Sequence, residues 1–289
     1  MQQLAAATVG KRLVAVRTLH PAIERRLPAA DAVRLAGRRV EGVERRGKYQ
    51  LLRLSDDLVL VTHFRMTGSW LPGRTGDTPR FARAVLELTD GSAVFLIDSR
   101  ALATLVVLPR GAEQLPAFGL DAADPSLDRV RLGEALCSRR GPIKPALLDQ
   151  TVLAGLGNIY AAEALWHAEL SPFVAANTLG NVALGRLAWA IHHTIALARD
   201  DPGRYARGEA RTRLSVYGRE GEHCFRCATP IERVVQTGRS TFYCPSCQRE
   251  PLDAETAVRD GVVRARRRRA TTTKGDTDAS DEPDRMDRA

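Results

Sequence analysis

The stretch IKPALLDQTVLAGLGNIYAAEALW, residues 143–166, decides how the rest of the chain is read. Its composition predicts two short helices, 145–150 and 159–168, on either side of residues 151–157. Gly155-x-Gly157-Asn158 opens the second helix. Glycine lets a backbone come close to a ligand, and a helix N-terminus offers free N–H groups to an anion. Asn158 adds a side-chain donor. A lone GxG is weak evidence, so its meaning depends on what surrounds it.

Upstream, from about Val14 to Leu108, the signals are strand-like. YQLLRL (49–54), LVLVTHF (58–64), AVLEL (84–88) and AVFLI (93–97) are short apolar runs separated by turns. Asp90-Gly91 reads as a hairpin turn between the last two. The pattern predicts an antiparallel sandwich or barrel. Downstream the period changes to that of a helix. Residues 127–137 form one candidate, and 179–199 a longer one with Leu179, Ala183, Leu187, Ile191 and Ile195 on one face. Thr178 is placed to cap it and Pro202-Gly203 to stop it. His192 and His193 are adjacent on that helix and point in different directions. Packing or surface roles suit them better than a shared metal.

A cysteine module follows: CFRCATPIERVVQTGRSTFYCPSC, residues 224–247. Cys224 and Cys227 form one CxxC, Cys244 and Cys247 another, with sixteen residues between. That spacing fits one tetrahedral zinc held by four thiolates, the intervening residues forming a β-hairpin. With all four positions filled by protein, the zinc is structural. His223 is adjacent but superfluous. A hairpin tip of Gly238-Arg239-Ser240-Thr241 is shaped to reach a phosphate, or is a solvated turn. Cys137 stands alone. Clustered cysteines point to a metal site in a reducing compartment rather than to a disulfide scaffold.

The chain has 289 residues, 44% of them hydrophobic, and a net charge of +9. Residues 251–289 carry nine Lys/Arg and nine Asp/Glu, so the entire excess sits on residues 1–250. A basic folded body is what a polyanion partner requires, and charge alone equally fits a merely basic, soluble domain. No apolar run approaches the ~18 residues needed to span a bilayer, and the first residues are not a signal peptide. A soluble, cytoplasmic protein is the expectation. The last 39 residues, after the zinc module, are rich in Arg, Asp and Thr and are expected to be disordered.

Lys144, Leu148-Asp149-Gln150, Gly155-Leu156-Gly157-Asn158-Ile159-Tyr160 and Glu163 closely resemble the helix–two-turn–helix motif of formamidopyrimidine-DNA glycosylases. Arg45-Arg46-Gly47-Lys48-Tyr49 and His63-Phe64-Arg65-Met66-Thr67-Gly68 resemble that family too. So does Val216-Tyr217-Gly218-Arg219-Glu220-Gly221 followed by the four-cysteine finger and Gly238-Arg239-Ser240-Thr241. The resemblance covers residues 1–250. It implies an α+β multidomain protein: an N-terminal antiparallel β-sandwich over 1–115, a helix–two-turn–helix domain over 125–215, a zinc-ribbon finger over 216–250 and the tail over 251–289. It also implies a monomeric, nucleoid-associated enzyme of base-excision repair, with one structural Zn2+. Such an enzyme extrudes an oxidised purine from duplex DNA, cuts its glycosidic bond through a Schiff base and breaks the strand by β- and δ-elimination. Carried over by position, His63, Asn158 and Arg239 hold phosphates, and Lys48 and Lys144 line the lesion side. Met66, Arg100 and Leu102 fill the gap in the stack. Taken singly, Met66 also reads as a core residue, Lys48 as a solvated lysine and His63 as a structural histidine.

Three stretches depart from the family pattern. The void-filling motif, usually Asp-Pro-Arg-Arg/Lys-Phe-Gly, is here Asp98-Ser99-Arg100-Ala101-Leu102-Ala103, so Leu102 wedges without an aromatic face. The lesion-covering loop is PGRYARGEARTRL, residues 202–214, without the usual Gly-Thr/Ser-Thr. The family begins Met-Pro-Glu, whose proline amine is the nucleophile and whose glutamate supplies the proton. Here Gln2 and Gln3 follow Met1. The resemblance therefore implies that this sequence joins the family's first helix about three turns late. Three readings follow: an active glycosylase and AP lyase whose true start lies upstream, a catalytically inactive damaged-DNA-binding protein of the same fold, or a zinc-ribbon nucleic-acid module of unrelated function.

Overall fold

The computed structural model describes residues 2–113, 115–200, 214–249 and 262–264. Helix α1 (Gln2–Thr8) leads into strand β1 (Leu13–Thr18), and two short helices, α2 (Pro21–Glu24) and α3 (Ala29–Val33), follow. Seven strands come next: β2 (Val40–Arg46), β3 (Tyr49–Leu54), β4 (Leu58–His63), β5 (Ser69–Arg74), β6 (Ala82–Leu88), β7 (Ser92–Ile97) and β8 (Thr104–Pro109). They build two four-stranded antiparallel sheets, ordered β1-β6-β7-β5 and β2-β3-β4-β8. The inner faces supply one core. Leu52, Leu54 and Leu60 come from one sheet and Leu86, Val94 and Leu96 from the other, all fully buried. Leu4 of α1 joins this core, and the Thr8 hydroxyl donates to its carbonyl at 2.7 Å.

A short parallel pair, β9 (Leu120–Asp121) with β10 (Leu153–Ala154), links the sandwich to the helices. These are α4 (Arg129–Leu136), α5 (Ile143–Leu148), α6 (Asn158–His167) and α7 (Asn181–Asp200), with a 3-10 turn at Ala176–Thr178. Asp128 caps α4 by accepting from the N–H groups of Val130 and Arg131. The four-residue spacing on α7 is borne out: Ala183, Leu187 and Ile191 pack into the helical core. Thr178 does not cap α7. It lies in the 3-10 turn, where its hydroxyl donates to Ala175 O at 2.9 Å. The proposed stop at Pro202-Gly203 and most of the lesion-covering loop lie outside the described residues.

The finger is a hairpin of β11 (Glu232–Gln236) and β12 (Arg239–Tyr243). Its core includes Val216, Ile231 and Phe242, and it packs on Ala162 and Trp166 of α6. Three residues of the stretch expected to lack structure, Val262–Arg264, form β13 antiparallel to β11. The open edge of a two-stranded ribbon accepts another strand.

Candidate nucleic-acid interface and zinc centre

A cleft of about 430 Å³ lies between the sandwich and the helices. Lys48 and His63 line one side, Gly155, Gly157 and Tyr160 the other. Lys48 sits in the turn between β2 and β3, and His63 ends β4 directly across from Tyr49. Burial lowers the Lys48 ammonium from its ordinary value, and the Arg239 guanidinium lowers it further. His63 is held below its ordinary value by burial, then by Arg65 and Lys48. The neutral imidazole accepts the Arg65 N–H on Nδ1 at 3.1 Å. That bond assigns the proton to Nε2, which is left as a donor. Among the described residues, Lys48, His63, Arg65 and Arg239 form no ion pair with a carboxylate. Lys48 and Arg65 in the cleft, and Arg239 beside it, are thus cations without a carboxylate partner, an arrangement that attracts anions.

The far wall is set by backbone approach. Gly155 has φ +92°, and a Cβ there would lie 2.9 Å from the Arg45 guanidinium. Arg45 donates to both oxygens of Asp121, at 2.6 and 2.7 Å, and to Gly47 O. The sandwich is thus tied to the linker beside the cleft. Gln150 braces residues 150–156 by accepting from Gly155 N and donating to Leu156 O. Helix α6 then starts at Asn158 with no side-chain cap bond, leaving its first N–H groups to other partners.

Lys144, which the resemblance placed on the lesion side, does not line the cleft. It is 1% exposed and lies behind Asn158. Its Nζ donates to Asn158 Oδ1 at 2.6 Å, Thr241 Oγ1 at 2.9 Å and Ser240 O at 3.2 Å. Asn158 Nδ2 also donates to Ser240 O, at 3.0 Å. Lys144 therefore ties the zinc hairpin to the start of α6. Burial, and then Arg239, push its ammonium down to about 7. The hairpin tip is also one step from where the sequence placed it. Thr237 and Gly238 make the turn, both with positive φ, and exposed Arg239 begins β12 opposite Gln236.

Met66 is 67% exposed, which removes the reading of it as a core residue. It rides on a tight turn in which a Cβ on Gly68 would meet Phe64 O at 2.8 Å. Leu102 is 43% exposed on a second loop, beside exposed Arg100. Asp98, fully buried, joins the two loops. Its carboxylate accepts from the Thr67 hydroxyl and from the N–H groups of Arg100, Leu102 and Ala103. Burial opposes its ionisation, but those bonds outweigh it and hold its carboxyl below the ordinary value.

The four Sγ atoms of Cys224, Cys227, Cys244 and Cys247 lie within 4.8 Å of one another. Two of the separations are 3.9 Å (Cys224 to Cys247) and 3.5 Å (Cys227 to Cys244). A tetrahedron with Zn–S bonds of ~2.3 Å places its sulfurs about 3.8 Å apart. Backbone N–H groups of Arg226 and Cys247 point at Cys224 and Cys244 Sγ, as thiolate ligands require. His223 instead pairs with Ala228 O at 2.7 Å and takes no part.

Three family models match the chain in order. They are the formamidopyrimidine-DNA glycosylase N-terminal domain over 1–105, its H2TH domain over 118–203, and the zinc finger found in FPG and IleRS over 221–249. The formamidopyrimidine-DNA glycosylase of Rhizorhabdus wittichii is 38% identical over 256 residues, covering 83% of this chain and 93% of the relative. That of Mycolicibacterium smegmatis is 37% identical over 268 residues, covering 86% and 94%. The chain belongs to the formamidopyrimidine-DNA glycosylase family. The structures agree. Lactococcus lactis Fpg in complex with DNA containing an abasic site superposes with a TM-score of 0.76 at 28% identity, over 86% of this chain and 96% of that one. Its complex with Fapy-dG DNA gives 0.75 at 27%, over 86% and 97%. The zinc finger takes one structural zinc.

Two site-building residues of this family member escaped the sequence reading as functional. Asp98 was legible only as part of a divergent motif, and its anchoring role needs four donors from two loops. Glu163 was legible only as a motif letter. It is buried on α6 and accepts from the N–H groups of Ser215, Val216 and Tyr217 at 2.7–3.0 Å, fixing the entry to the finger.

Proposed function

We propose that the chain is a base-excision-repair DNA glycosylase and AP lyase acting on oxidised purines in duplex DNA. The observation that carries this reading is the cleft lined by Lys48, Arg65 and the neutral donor His63, with Arg239 beside it, facing the uncapped start of α6. Relatives crystallised with abasic-site and Fapy-dG DNA share the fold. His63 through Nε2–H, Asn158 through its remaining amide hydrogen, and Arg239 hold the phosphates around an extruded nucleotide. Met66, Arg100 and Leu102 enter the stack from the two loops that Asp98 ties together.

Lys48 is the amine beside the reacting sugar. Burial and Arg239 bias it towards the neutral form, the form that can take a proton or attack carbon. In the lyase reaction an amine adds to C1′, the base or ring oxygen leaves, and an iminium forms. Loss of a C2′ proton then breaks the C3′–O bond, and a second elimination breaks the C5′–O bond. The alternative is a binding protein of the same fold without chemistry. Duplexes carrying 8-oxoguanine or Fapy-guanine separate the two. Base release with 3′- and 5′-phosphate ends supports the enzyme. Tight, lesion-selective binding without base release supports the binder.

A further inference from the structure

Helix α6 ends beneath the zinc centre. Trp166, on its last turn, is 6% exposed and packs in one cluster with Cys224 and Cys244. Its Nε1–H finds no hydrogen-bond acceptor among the described residues. Buried donors are almost always satisfied, so an orphan of this kind calls for a partner. The Cys224 sulfur lies in the same cluster and accepts the backbone N–H of Arg226 at 3.5 Å.

The ring is held in place from the finger side. Arg226 lies between the two cysteines of the first knuckle, and its guanidinium sits 3.8 Å over the Trp166 ring. It also donates to Trp166 O at 2.7 Å and to His167 O at 3.4 Å, satisfying carbonyls at the end of α6. The knuckle thus caps the helix while the helix presents an N–H to the knuckle.

We propose that Trp166 is a positioning residue of the zinc site, its indole N–H donating to the zinc-bound thiolate of Cys224. A metal-bound thiolate keeps lone pairs after binding zinc and carries the charge that makes it a strong acceptor. The donor orients the Cys224 ligand and slows zinc loss. It also makes the metal site and α6 one unit, with Asn158 at the other end of the same helix.

Cadmium-113 in place of zinc gives a direct test on the full protein. A proton–cadmium correlation spectrum is expected to show a peak at the Trp166 indole Hε1. The backbone N–H groups of Arg226 and Cys247, aimed at Cys224 and Cys244, serve as internal references. Reference peaks without an indole peak overturn the proposal. Trp166→Phe keeps an aromatic ring but removes the donor. It is expected to release zinc to a chelator about tenfold faster with unchanged far-ultraviolet circular dichroism. An unchanged release rate overturns the proposal. Should that variant fail to fold, the wild-type cadmium spectrum decides alone.

Discussion

Replacing Asp98 with asparagine isolates the tie between the two exposed loops. In the wild type Oδ1 accepts from the Thr67 hydroxyl and Arg100 N–H, and Oδ2 accepts from Leu102 N–H and Ala103 N–H at 2.7 Å each. An amide has one accepting oxygen. Whichever way it turns, it faces two backbone N–H donors, or one and the hydroxyl, with an NH2 group. Two charge-assisted bonds at about 1.5–3 kcal/mol each give a loss of about 3–5 kcal/mol after some relaxation. Urea unfolding at pH 7 reads this loss directly. The pH dependence has a definite sign. The Asp98 carboxyl is lowered in the folded state, so its contribution is fully present above the unfolded aspartate value of ~3.9. It fades as pH falls through the lower folded value. The gap between wild type and Asp98→Asn therefore narrows below pH ~4. With the loops unanchored, 2-aminopurine placed opposite an abasic site should report weaker insertion. A variant within ~0.5 kcal/mol of wild type at pH 7, with unchanged 2-aminopurine fluorescence, refutes the reasoning.

Four further outcomes follow from the geometry. Cys244→Ser should reduce bound zinc from one equivalent to none, and a chelator should do the same to the wild type; both should abolish tight duplex binding, read by metal analysis and fluorescence anisotropy. Arg239→Ala should weaken binding to every duplex by a similar factor and flatten the slope of log affinity against log salt by about 1. Lys144→Met should cost about 2–3 kcal/mol of stability, because Asn158 Oδ1, Ser240 O and Thr241 Oγ1 lose their shared donor. Thermal unfolding measures that loss. Leu102→Phe restores an aromatic face and should tighten binding to abasic-site DNA by about 1–3 kcal/mol, with no gain on intact duplex.

The sandwich strands most legible in the sequence were those with continuous apolar runs. YQLLRL forms a strand with the predicted bounds, because β3 is central in its sheet and buried on both faces. β2 and β5 were not legible. VEGVERR is dominated by charge, and SWLPGR contains Pro72 and Gly73; both strands lie at sheet edges, where burial does not filter composition. The zinc centre was fully legible because four thiolates at fixed spacing leave few alternatives. Lys144 was not. Its position in a motif says that it matters, but only the packing of α5 against the hairpin says that it faces Asn158 rather than the cleft. Met66 shows the converse: the sequence left it between core and wedge, and its exposed turn separates the two.

The claim that a Schiff-base enzyme is built around the Lys48 cleft is tested most directly by borohydride trapping. The protein produced from its native locus is mixed with duplex DNA carrying one abasic site, reduced, digested and mapped by mass spectrometry. A covalent protein–DNA adduct in good yield is expected, with the yield falling at least tenfold in Lys48→Ala. Tight binding to the same duplex with no adduct at any borohydride concentration contradicts it.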